Sequence, residues 1–199
     1  MDLNRFTERA RGIIQAAQPI ATRDSHQRLA PEHLLKALLD DDQGFASNLI
    51  SAAGGKPARV RDALELTLGK MPKVTGDAAQ VYLDNATQKV LAEAETLAKK
   101  AGDSFVPAER LLMALAMVKS GAKTAMEAGD VNAQALNSAI NDIRKGRTAD
   151  SATAEDGYDA LKKYAMDLTE RAEAGKIDPI IGRDEEIRRA MQVLSRRTK

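Results

Sequence analysis

The chain carries one pattern twice, and that duplication constrains its fold more than any other feature. Sliding the sequence by 77 positions (17 to 94) lays Ala17, Ala21, Glu32, Leu34, Leu35, Ala37 and Leu38 on Ala94, Ala98, Glu109, Leu111, Leu112, Ala114 and Leu115. Ile13, Ile14 and Ile20 then fall on Val90, Leu91 and Leu97, and "LAPEHLL" is echoed by "FVPAERLL". Beyond Gly44 and Gly121 the register slips slightly, yet "SAAGG" still answers "MEAGD", and Val60 and Leu64 answer Leu136 and Ile140. Two Ala/Leu-rich helices resemble each other by composition alone. A shared order of helices with matched loop lengths is a stronger correspondence, and it reads as two repeat units that bury one core.

Each unit reads as four helices. Phe6, Ala10, Ile13, Ile14, Ala17 and Ala21 fall on one face at three- and four-residue spacing, with Thr7 or Asn4 available as N-cap. Pro19 lies inside that pattern and predicts a kink or an early end, because it lacks an N–H and crowds the preceding turn. Pro31 opens a second helix, "FASNLISAAGG" a third that stops at a Gly pair, and "KPARVRDALELTLGK" a fourth. The expectation is an all-α, pseudo-twofold domain over residues 1–145, with halves at about 2–70 and 78–145 joined by the extended "GKMPKVTG". "GRTADSATAEDG" is small, polar and aperiodic, so residues 146–157 read as a flexible linker. Helical pattern resumes over 158–199, where Leu161, Tyr164, Leu168 and Ala172 share a face.

Composition narrows the function classes. With 43% hydrophobic and 30% charged residues the chain belongs with globular proteins, and 3% aromatics favours helix over sheet. Thirty basic against 29 acidic residues give no strong field for nucleic acid or an anionic membrane. No Cys is present, so disulfides, thiolate catalysis and Cys-ligated zinc are excluded. The N-terminus is charged from its second residue, unlike a signal peptide, and no apolar run approaches the ~18 residues of a membrane span. A cytoplasmic location is expected.

No converging acid–base set emerges from spacing. His26 and His33 neighbour Asp24 and Ser25, but no third partner is marked, and His33 reads as a packed, hydrogen-bonded residue. Arg196, Arg197 and Lys199 read as a solvated helix end. Met113, Met117 and Met126 fall on helices as core filler. Asp103 and Glu109 flank Phe105 at the mouth of the second half. They read either as helix-end stabilisers or as the polar rim of a peptide groove between helices.

Residues 160–199, with "DLTERA", "GKIDPIIGRDEEI" and "RRTK", resemble the entry to the first nucleotide-binding domain of the Clp family of AAA+ protein disaggregases. "FTERAR", "PEHLLKALL" and "PKVTG" resemble the family's N-terminal domain, so the likeness covers essentially the whole chain. The resemblance implies a client-recognition region of an ATP-driven chaperone that threads unfolded or aggregated proteins through a homohexamer and cooperates with the DnaK system. The alternative it leaves open is an adaptor-docking domain, as in protease-coupled relatives. ATP and Mg²⁺ would belong to the longer parent, whose phosphate-cradling loop would follow Lys199, and this chain is expected to hold no cofactor and catalyse nothing. Asp178, Pro179, Ile180, Ile181, Gly182 and Arg183 match the segment that borders the adenine. Thr7, Asp103 and Glu109 match polar positions tied to client engagement, with Leu91, Leu97, Leu111 and Leu112 near the apolar groove. Glu93 and Arg110 depart from the apolar pattern with opposite charges, and the sequence leaves open whether they pair across that groove.

Overall fold

The computed structural model describes residues 3–74, 81–155 and 183–194, which fall into two units, 1–158 and 159–199. In the first unit, a 3₁₀ turn at Leu3–Arg5 leads into α1 (Glu8–Arg23), β1 (Arg28–Leu29), α2 (Pro31–Leu39), α3 (Phe45–Ala52) and α4 (Pro57–Gly69). The second half repeats the order as β2 (Tyr82–Leu83), α5 (Asn85–Lys100), α6 (Ala108–Met117), α7 (Gly121–Ala128) and α8 (Ala133–Arg144). The architecture is helical, as the periodicity implies.

Local chemistry fixes the helix ends. Thr7 caps α1, its Oγ1 accepting the Ala10 N–H at 3.2 Å, and Asp84, Ser120 and Asn132 cap α5, α7 and α8 in the same way. Pro19 does not end α1, which runs on to Arg23. Pro19 and Gln15 both face solvent, so water can satisfy the carbonyl that the missing N–H leaves free.

The halves do not make separate cores. α1 packs on α2 and α5 on α6, but α4 packs on α7 and α3 on α8, across the duplication. One continuous apolar cluster results, with Phe6, Leu34, Leu35, Leu64, Leu111, Leu112 and Met126 fully buried. The α4–α7 crossing is close enough to require glycine: a Cβ on Gly129 would lie 2.2 Å from Val60 Cγ2 and 3.0 Å from the Lys56 carbonyl.

Two short parallel pairings, too brief to register as strands in the sequence, also cross between halves. Leu29 pairs with Leu83 and Phe6 with Val106. These are the same contact made twice, since Leu29 corresponds to Val106 and Phe6 to Leu83 under the 77-residue shift. Each half thus lends the strand before its first helix to the strand before the other's second helix.

Residues 146–155 differ from the flexible linker expected of them. Ala149 is fully buried, its N–H donates to Asp103 Oδ1 at 2.8 Å, and its carbonyl accepts the N–H groups of Ser104 and Phe105. Farther along, the Glu8 N–H donates to the Ala152 carbonyl at 2.8 Å, and Glu155 is buried. The segment is a strap laid from α8 back over the start of α1. Small side chains let it lie flat, and partners elsewhere in the fold supply the hydrogen bonds that its own sequence cannot.

In the second unit, α9 (Asp184–Leu194) begins where the Arg183 carbonyl accepts the Ile187 N–H at 3.1 Å. Arg183 is exposed. Asp178, Pro179, Ile180, Ile181 and Gly182, the rest of the adenine-bordering match, lie outside the described residues, as does the helix expected from Tyr158 onward.

Candidate functional site

Among the described residues, chemistry-bearing side chains gather in an interior polar cluster under the strap, in a buried histidine pair, and along an open groove on the first half. The polar cluster gathers Thr7, Asp103, Glu109 and Arg110; Thr7, Glu109 and Arg110 are buried, and Asp103 is half-buried as a residue. The Asp103 side chain is fully enclosed. Arg144 from the end of α8 grips it through both terminal nitrogens, with Nη1 at 2.8 Å from Oδ2, and Arg110 Nε lies 3.5 Å from the same oxygen. Burial alone would raise the Asp103 pKa, but the bonds from Arg144 and the Ala149 N–H, with the charges of both arginines, hold it below the ordinary carboxylate range.

Beside this ion cluster, the Glu155 carboxylate from the strap accepts the Thr7 hydroxyl and, at 2.6 Å, the Ala108 N–H in the first turn of α6. It therefore caps α6 from a distance of 47 residues in the chain. Glu109 is the next residue, 2% exposed, with neither carboxylate oxygen hydrogen-bonded and Arg144 Nε 3.6 Å from Oε1. Burial first, then the neighbouring Glu155, pushes the Glu109 pKa upward, and burial likewise raises that of Glu155. The two carboxyls favour holding a proton.

Expected pairings and exposures change accordingly. Arg110 turns to Asp103 rather than to Glu93, because Asp103 offers an enclosed carboxylate while Glu93 stays half-exposed on α5. Leu91, Leu111 and Leu112 are core residues, and Leu97 packs half-buried against them. The matched client-contact positions are thus an interior set in this conformation, not an open rim. The space beside Glu109 and Arg144 measures only about 10 Å³, too small for a substrate. Among the described residues, no cluster of three or more His, Asp or Glu is placed to hold a metal.

The first half repeats the cluster with different residues. His26 and His33 occupy the positions equivalent to Asp103 and Arg110, and His26 Nδ1 lies 2.9 Å from His33 Nε2. His33 Nδ1 accepts the Ala30 N–H at 3.0 Å, so Nε2 carries the proton and donates to His26. Burial, reinforced by His26, lowers the His33 pKa to about 4. As expected, His33 is a packed, hydrogen-bonded residue.

The groove, of about 600 Å³, lies between α1 and the end of α2. One stripe of α1 forms its floor: Arg9, Gly12, Ile13, Ala16 and Ile20, at helix spacing. Ala37 and residues 40–43 form the wall. Arg9 closes one end, bonded to Gln43 and stacked 4.8 Å over the Phe45 ring. Neither Glu155 with Arg144 nor this groove was picked out as a site from the sequence. The groove left a trace there: a glycine in mid-helix and an Asp-Asp-Asp run at a helix end.

A duplicated helical domain whose strands cross between its halves is a repeat-type helical module. The chain belongs to the Clp repeat (R) N-terminal domain family, whose model matches residues 5–129. It is 60% identical over 201 aligned residues to chaperone protein ClpB of Mesorhizobium japonicum, and 59% identical to that of Brucella suis. Each alignment covers 100% of this chain and 23% of the relative, so the chain spans about a quarter of those proteins. Among solved structures, the Hsp104 N-terminal domain of Candida albicans superposes with a TM-score of 0.67 at 21% identity, covering 75% of this chain and 97% of that one. The N-terminal domain of ClpD from Arabidopsis thaliana gives 0.55 at 21% identity, over 73% and 97%. At such identities these likenesses concern the fold alone.

Proposed function

We propose that this chain is the polypeptide-engaging N-terminal region of a ClpB-type disaggregase, delivering unfolded or aggregated segments to an ATP-driven hexamer formed by the longer parent. The observation that carries the reading is the 60% identity to a ClpB chaperone across the whole chain, the duplicated domain and the start of the second unit included. An open groove with an apolar floor supports binding of a polypeptide segment. Thr7, Asp103, Glu109 and Arg110 would serve that role indirectly, by fixing the strap and the start of α6, since their side chains are enclosed. ATP and Mg²⁺ would be bound by the parent, cooperation with the DnaK system would use its other parts, and the protein would act in the cytoplasm.

The test is binding of the intact chain to a permanently unfolded model protein, compared with the folded form of that protein. Weak, saturable binding to the unfolded form alone is expected. Binding to a single folded adaptor, with none to unfolded chain, would transfer the domain to adaptor docking and refute the reading.

A further inference from the structure

We infer that the groove between α1 and α2 is a binding site for basic–apolar polypeptide segments, in which an aliphatic or aromatic side chain lies over Gly12 and Ala16 while a neighbouring Lys or Arg reaches Asp41 and Asp42. The inference rests on the polypeptide-engaging role proposed above and specifies its substrate class.

Three observations converge on this groove. First, α1 carries Gly12 in its middle, where glycine is among the poorest helix formers, and packing does not explain it. A Cβ built there meets nothing within 4 Å. The helix therefore leaves room that no other part of the described chain fills. Second, Asp40, Asp41 and Asp42 stand at the C-terminal end of α2, where the exposed carbonyls already concentrate negative potential and acids are disfavoured. Arg61 and Lys36 answer Asp40, whereas Asp41, which lines the groove, keeps its Oδ2 buried without a hydrogen-bond partner. Three carboxylates thus face a groove whose single guanidinium, Arg9, is already engaged with Gln43 and Phe45. Two departures from local stability rules open on the same space, as functional sites tend to do.

Third, the duplication provides an internal control. Under the 77-residue shift, Gly12 and Ala16 correspond to Lys89 and Glu93, and residues 40–42 to Met117, Val118 and Lys119. The fold is made equally well without the glycine and without the acids, so neither is an architectural requirement. Ile13, by contrast, corresponds to Val90, and both are buried. What the halves share is core; what distinguishes this groove is room and negative charge. An apolar segment bearing cations is the complementary occupant, its apolar part driven from water and its charge steered by the carboxylates.

The experiment uses the intact chain and a fluorescein-labelled peptide alternating Leu and Lys, with a Leu/Glu peptide of equal length as counterpart, read by anisotropy. The Leu/Lys peptide should bind at least tenfold tighter, and weaken as salt rises. Gly12→Leu, which fills the groove from its floor, and D41N/D42N should each weaken it tenfold or more with the circular dichroism of the parent. Gly12→Ala, filling less of the space, should lose less. Equal affinity for the two peptides, or indifference to both Gly12→Leu and D41N/D42N, overturns the assignment. The unfolded model protein is titrated in parallel. If it binds but ignores Gly12→Leu, the groove fails while the client-binding role stands; if it does not bind although the Leu/Lys peptide does, the role fails and the groove stands. Dimerisation that Gly12→Leu abolishes, seen in sedimentation without peptide binding, would make the occupant a second copy and overturn the proposal.

Discussion

His33 should make this domain sensitive to mild acid, by an amount that follows from its surroundings. It is fully buried, its Nδ1 accepts the Ala30 N–H and its Nε2 faces His26 Nδ1. Burial first, then the neighbouring His26, disfavours the charged imidazolium and lowers its pKa from 6.5 to about 4. The unfolded chain therefore takes up the proton first. Stability from this group is complete above the unfolded pKa near 6.5 and is lost as pH falls, levelling off below about 4. At about 1.4 kcal/mol per unit, the window amounts to roughly 3 kcal/mol, a large share of the 5–15 kcal/mol typical of a domain. The assay is urea unfolding of the parent and of His33→Gln between pH 7.5 and 4. Gln at this third helical position can still accept the Ala30 N–H, as in a capping box, but does not titrate. Carboxylates elsewhere contribute a background common to both proteins. The parent should lose about 2–3 kcal/mol more than the variant over this range. Parallel curves would refute the reasoning, because they would mean that His33 charges without cost.

Other expectations follow from the strap and the helix crossing. Asp103→Asn leaves Arg144 and Arg110 without their carboxylate and should cost about 3 kcal/mol in urea unfolding, the scale for breaking a buried ion pair. Glu155→Ala removes the cap on Ala108 and the bond to Thr7, so proteolysis within 146–155 should accelerate severalfold, detectable by mass spectrometry; no change in cleavage would mean the strap holds without it. Burial raises the Glu109 pKa, so the stability it contributes in its protonated form is lost as pH rises above the usual carboxylate range. Glu109→Gln should consequently gain on the parent at pH 8 but not at pH 5 in the same unfolding assay. Gly129→Ala forces a methyl group against Val60 Cγ2 and the Lys56 carbonyl at the α4–α7 crossing and should lower stability by about 1–3 kcal/mol, measured by thermal unfolding.

What the sequence made legible, and what it hid, divides along one physical line. Helix spacing marked the faces of α1, α2, α5 and α6 because their burial repeats every three or four residues. The duplication was visible because both halves bury those faces in one core. Residues 146–155 read as a linker since "GRTADSATAE" has neither periodicity nor propensity; its order is borrowed from Asp103, Ser104, Phe105 and Glu8, which no local pattern announces. The acids at the starts of α2 and α6 were noticed, but a helix-start position does not tell whether the end of the helix turns inward. Both Glu32 and Glu109 turn inward, the second with the strap's Glu155 beside it. The same limitation leaves the partner of Arg110 open in the sequence, because the choice between Glu93 and Asp103 belongs to the tertiary fold. The duplicated framework then lets equivalent positions part ways. His26 and His33 hold one half together with a neutral hydrogen bond, where Asp103 and Arg110 hold the other with charge. On the outside, Gly12 and residues 40–42 line a groove with a glycine and three acids, where the equivalent positions carry Lys89 and Met117, Val118 and Lys119. A duplicated core fixes where helices lie and leaves each half free to vary what it exposes. In such a fold the differences between the copies, rather than their likeness, are therefore the better guide to function.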